Sequence, residues 1–101
     1  MIIYSVTVSV DHEVAQGWLS WMKDIHIPEV MASGYFSSYR ICILREPIHD
    51  TESITYNIQY ECDDLETYTQ YRDQEAPRLQ AAHTERFGDH FVAFRTLLET
   101  V

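Results

Sequence analysis

Two runs of strict alternation constrain this chain more than any other feature. Between Ile2 and Val10, the residues Ile2, Tyr4, Val6, Val8 and Val10 fall on one parity, and Ser5, Thr7 and Ser9 on the other. Between Ile54 and Cys62, the residues Ile54, Tyr56, Ile58, Tyr60 and Cys62 alternate with Thr55, Asn57, Gln59 and Glu61. A period of two is that of a strand with one buried face. Each run leads through aspartate into a stretch of helical period. After Asp11, expected as an N-cap, Val14, Trp18, Trp21, Met22 and Ile25 mark one helical face. After Asp63 or Asp64, with Glu66 as a capping-box partner, Leu65, Tyr68, Tyr71, Ala76, Leu79, Ala82, His83 and Phe87 mark another. Pro28 and Pro77 each force their helix to kink or restart, and Gly34 and Gly88 end the two segments.

Two further strands are expected from about Tyr35 to Arg45 and from about His90 to Glu99, with a hairpin loop from Glu46 to Glu52. The order strand, helix, strand, strand, helix, strand predicts a ferredoxin-like α+β sandwich, a four-stranded antiparallel sheet with both helices on one face. The other face is then bare. It carries Ser5, Thr7, Ser9, Thr55, Asn57 and Gln59 from two strands, but large apolar groups come with either parity of the other two. A face of that kind is better hidden than solvated, which predicts a homodimer with two sheets packed face to face.

At 101 residues and 46% hydrophobic, the chain has the composition of one soluble domain spanning residues 1–101. Seven Lys and Arg against sixteen Asp and Glu give a net charge of −9, which disfavours nucleic acid and anionic membrane as partners. No apolar run approaches a membrane span, and the first residues enter a strand pattern rather than a leader, so cytoplasmic residence is expected. Cys42 and Cys62 form no metal spacing and are expected as reduced core thiols. The isolated glycines exclude a phosphate-binding loop, and the third strand lacks the basic, glycine-containing run of an RNA-recognition motif.

Five histidines, His12, His26, His49, His83 and His90, show no local zinc spacing, so no metal is expected. His26 precedes Pro28, where the backbone is irregular, and His83 is in phase with the buried stripe of the second helix. Each has an ordinary reading as a core histidine with satisfied nitrogens. Together they are candidates for holding or protonating a bound carbonyl or phenol, with Tyr56 or Tyr60 orienting at least one ring. Arg40 and Arg95 stand mid-strand among apolar neighbours, where each must pair with a carboxylate, emerge at an edge, or bind an anion. Internal pairing is the default among so many acids. Arg40 is included with His26, His83, Tyr56 and Tyr60 as a candidate ligand residue, while Trp18, Trp21 and Met22 read as core filler.

The run from Trp21 to Val30, Trp-Met-Lys-Asp-Ile-His-Ile-Pro-Glu-Val, resembles the aromatic, His, Pro segment in the first helix of dimeric α/β-barrel proteins. That ferredoxin-like superfamily includes ethyl tert-butyl ether degradation-type proteins, stress-responsive barrels and antibiotic-biosynthesis monooxygenases. With the opening Met-Ile-Ile-Tyr-Ser-Val-Thr-Val and the closing run from His83 to Arg95, nearly the whole chain resembles a small bacterial family of unknown function in that group. The resemblance implies a homodimer whose sheets meet as a barrel with helices outside. Characterised members include cofactor-independent monooxygenases, isomerases, polyketide cyclases and haem-degrading enzymes. His83 resembles the axial histidine of the last, but they also use an asparagine in the first strand and a tryptophan in the second helix. Here Ser5 occupies the first strand and the second helix has no tryptophan, so no cofactor is expected. The leading expectation is a domain that binds a small organic molecule between sheet and helices. The alternatives are a cofactor-independent cyclase, isomerase or monooxygenase, and a structural or regulatory dimer without ligand.

Overall fold

The computed structural model describes residues 1–48 and 50–101; His49, in the expected hairpin loop, lies outside the described residues. The strands are β1 (Ile2–Asp11), β2 (Ser38–Ile43), β3 (Ser53–Cys62) and β4 (Phe91–Glu99), in one antiparallel sheet of order β2-β3-β1-β4. The helical segments are α1 (Ala15–Trp21) and α2 (Ile27–Ala32) between β1 and β2, and α3 (Leu65–Gln74) and α4 (Ala76–Phe87) between β3 and β4. This is the ferredoxin-like arrangement. Tyr4 lies opposite both Tyr60 and Leu97, and Val8 opposite Tyr56 and Ala93. The β1 and β3 members of that register, with Ile2, Val10, Ile58 and Cys62, form the buried side against Trp18, Met22, Ile27, Val30, Tyr71 and Leu79 of the helices. No helix among the described residues is long and apolar enough to cross a membrane.

Both prolines break their helices, each by a different route. Pro28 lacks an N–H and its ring crowds the carbonyl four residues back. The chain answers with a π-helical stretch over Met22–His26, in which the Ile27 N–H donates to the Met22 carbonyl five residues earlier. The wider turn rotates the apolar face forward. His26 and Ile27 become buried, and Ile25, expected on the core stripe, is 48% exposed. At Pro77 the helix stops at Gln74 and restarts at Ala76, with proline in the first turn, where its missing N–H costs nothing.

Several local expectations are corrected. Cys62 is buried in the core, but Cys42 lies on the helix-free side of the edge strand β2 and is exposed. Asp11 makes no cap; it ends β1 and its Oδ2 hydrogen-bonds His90 Nδ1 at 3.1 Å. Asp64 is the cap of α3, accepting from the Thr67 N–H at 2.8 Å and the Thr67 hydroxyl at 2.7 Å. Threonine at the third helical position takes the partnership expected of Glu66, and Leu65 at the first is exposed. The second strand is shorter than expected, because Tyr35 and Phe36 turn into the aromatic core beside Tyr71 before the ladder begins.

The face away from the helices is bare, as the alternation requires. Asn57 donates to both Ser5 Oγ at 2.9 Å and Thr7 Oγ1 at 3.0 Å, so its polar centre is internally satisfied and Ser5 is buried despite facing outward. Val92, Phe94 and Leu98, at 72%, 60% and 48% exposure, stand along β4 on that side. Beside them a groove of about 600 Å3 runs under the hairpin loop past Leu44, Pro47, Ile48 and Phe94.

Candidate functional site

The π-helical stretch and the last turns of α4 bring His26 and His83 together over the sheet, with ring centroids 5.6 Å apart. Aromatic rings enclose them. Trp21 stacks on His26 at 4.8 Å and on His83 at 5.7 Å, and Phe91 lies parallel to His83 at 3.8 Å. Burial opposes a charged imidazole. His26 is lowered to about 4 by burial and by the Arg95 charge. His83 is lowered to about 4 by burial, by His26 and by Arg95. Both rings are therefore neutral at pH 7.

The tautomer of His83 follows from its partner. The Trp18 indole N–H, which can only donate, reaches His83 Nε2 at 2.9 Å. That nitrogen carries the lone pair, so in the neutral ring the proton sits on Nδ1. Neither His83 Nδ1 nor either nitrogen of His26 has a hydrogen-bond partner among the described residues. No fully buried side-chain N or O is left unpartnered there, so these three nitrogens retain access to solvent. The adjoining space is a cleft between sheet and helices with a cavity volume of about 30 Å3, lined by both histidines, Tyr4, Tyr60, Tyr71 and Arg95. Burial holds the Tyr60 and Tyr71 hydroxyls well above the usual phenol range, so both remain neutral donors.

The expected site residues separate into two groups. His26, His83 and Tyr60 share the cleft. Tyr56 is buried on the same side of the sheet but stacks on Trp18, with ring centroids 5.0 Å apart, and orients no histidine. Arg40 lies elsewhere: it sits on β2 opposite Gln59, on the helix-free face, largely exposed and 4.0 Å from Glu61. Trp18, read from its spacing as filler, is the group that orients His83. Arg95, expected to pair internally, has no carboxylate within 4.0 Å among the described residues, whereas Arg40, Arg72 and Arg78 do. Its parity was a usable signal, since it faces Val6 in the register and so belongs to the helix side. A separate surface cluster holds one ligand atom each from Asp11, Glu13 and His90 within 4.8 Å of one another.

Replacing Trp18 with phenylalanine is expected to cost about 1 to 3 kcal/mol, because His83 Nε2 loses its donor while the aromatic packing is largely kept. Urea unfolding at pH 7.5 measures this, and the loss is expected to be much smaller when His83 is also changed to leucine.

The family described as Domain of unknown function (DUF4286) matches residues 1–101. No curated protein matches the chain. Among solved structures, an ethyl tert-butyl ether degradation (EthD) family protein from Bacillus halodurans is similar at TM-score 0.70 and 14% identity, over 100% of both chains. SnoaB, a cofactor-independent oxygenase from Streptomyces nogalater, is similar at TM-score 0.65 and 10% identity, over 98% of this chain and 92% of its own. A dimeric ferredoxin-like protein from an uncultured marine organism is similar at TM-score 0.65 and 13% identity, over 100% of this chain and 95% of its own. At these identities the likeness is one of fold.

Proposed function

Because the chain belongs to the DUF4286 family of domains of unknown function, whose description assigns no activity, we propose its function from the cleft. It is a homodimeric, cytoplasmic domain that binds a small organic molecule between sheet and helices. The observation that carries this reading is His26, buried yet without a partner for either ring nitrogen among the described residues, on the wall of a cavity. A histidine kept for packing alone is normally satisfied by the protein, whereas both His26 nitrogens face solvent-accessible space in the cleft and are free to bond water or a ligand. The cavity of about 30 Å3 has room for a water-sized group and admits an oxygen-bearing end of a ligand. The body of that ligand then lies at the mouth. The homodimer is supported by the apolar row Val92, Phe94 and Leu98 on the uncovered face.

A cofactor-independent enzyme is the second reading, favoured by the likeness in fold to such an oxygenase. His26 with a pKa near 4 is a base of carboxylate strength, suited only to an already acidic proton, so binding is the stronger reading.

Titration with small aromatic and carbonyl compounds, followed by amide and imidazole NMR, tests the proposal. Binding compounds are expected to perturb His26, His83 and the residues around them. His26→Gln, which breaks no hydrogen bond to a described residue, is expected to weaken that binding while leaving the unfolding midpoint at pH 7.5 nearly unchanged. Compounds that bind only outside the cleft, or with equal affinity to His26→Gln, would leave the histidines as structural groups.

A further inference from the structure

The polar groups around the cleft share one electrostatic character. The chain has sixteen Asp and Glu residues, yet among the described residues none lines this cavity, and the single charged side chain there is Arg95. The others are neutral hydrogen-bonding groups, and the unpartnered edge of His83 is fixed as a donor by Trp18, because Nε2 already accepts the indole N–H. Arg95 is also the one exposed residue among the described residues of the lining, which places it at the mouth. Two residues further along β4, Leu97 stands on the same side of the strand and is half-exposed, an apolar surface next to the cation.

Granted the cleft as a ligand site, on which this depends, we infer that the ligand is a small organic acid whose carboxylate enters between Arg95 and the Nδ1–H of His83. Its apolar body lies outward against Leu97. The geometry suits the chemistry at each end. A carboxylate oxygen accepts from guanidinium and imidazole together, and the planar guanidinium holds charge without proton loss. The two neutral histidines also remove the cost of crowding Arg95 with further positive charge, as both are held uncharged partly by that arginine. The overall charge of −9 repels anions from most of the surface, so selectivity for an acid must come from this local pairing.

The test compares benzoate with its neutral isostere benzamide at pH 7, by NMR titration of the full chain and its variants. Benzoate is expected to bind at the cleft about tenfold or more tightly than benzamide, the scale of a charge-assisted hydrogen bond. Arg95→Gln is expected to abolish that preference and Arg95→Lys to retain part of it. Arg72→Gln, which removes an exposed cation paired with Asp73, is expected to leave it intact. If the two compounds perturb the cleft with equal affinity, or if Arg95→Gln keeps the preference, the acid is wrong while the ligand site stands. If neither compound perturbs the cleft up to its solubility limit, both the acid and the ligand site fail. Spectra of Arg95→Gln outside the cleft report whether it is folded, and the lysine variant decides the matter if it is not.

Discussion

Acidification from pH 7 to pH 5 is expected to destabilise the fold by up to about 4 kcal/mol through His26 and His83 alone. The unfolded imidazoles titrate near 6.5, whereas in the fold both are lowered to about 4. Between those values the unfolded chain binds protons that the native rings refuse, so stability falls as pH falls. The loss begins as pH drops through about 6.5 and is complete below about 4. Each ring contributes at most about 2 kcal/mol by pH 5, less whatever water in the cleft screens. Urea midpoints of the wild type and of the double variant His26→Gln/His83→Gln measure this. Glutamine at position 83 still offers an oxygen to the Trp18 indole, so the double variant is expected to fold and to show a much flatter profile. An equally steep profile in the double variant would assign the acid sensitivity to carboxylates or other histidines.

The second large effect concerns association. Sedimentation at micromolar concentration is expected to give about twice the 11.9 kDa chain mass for the wild type, and the single chain mass for Phe94→Asp. Phe94 lies in the apolar row on the helix-free face and also borders the groove beneath the hairpin loop. A carboxylate there must be desolvated if the sheets pack together, at a cost of several kcal/mol, whereas in a monomer it stays in water at little cost. An unchanged circular dichroism spectrum would separate lost association from lost folding. A wild type that sediments as a monomer would remove the face-to-face dimer.

Much of the fold was legible because its signals are local. Ile2–Val10 and Ser53–Cys62 alternate almost without fault, and both are strands of nearly those bounds. The π-helical stretch was not legible. Pro28 announces a break, but whether the chain kinks, restarts or widens depends on which register lets Met22, Ile27 and Val30 all reach the sheet. That choice buried His26 and released Ile25. In the cleft, His83 and Tyr60 were placed from their phase, since phase decides which face of an element a side chain takes, whereas His26 was singled out only by the broken backbone before Pro28. Arg40 could not be assigned a face by that measure: β2 has large apolar groups on both parities, and only the pairing of Tyr39 with Tyr60 shows that Arg40 takes the helix-free side, near Glu61. The Trp18 to His83 hydrogen bond joins residues 65 apart, and no spacing rule links them. Arg95 was noticed as unusual, but the absence of a carboxylate beside it is a tertiary fact.

The central claim is that the cleft beneath α2 and α4 holds a ligand. The most direct measurement is a crystal structure of the protein soaked at pH 7 with compounds that bind in the NMR titration. The account predicts ligand density between the sheet and the helices, with a polar atom of the compound within hydrogen-bond distance of His26 or of His83 Nδ1. Density confined to the groove beside Phe94, with the space around the two histidines filled by protein side chains alone, would contradict it.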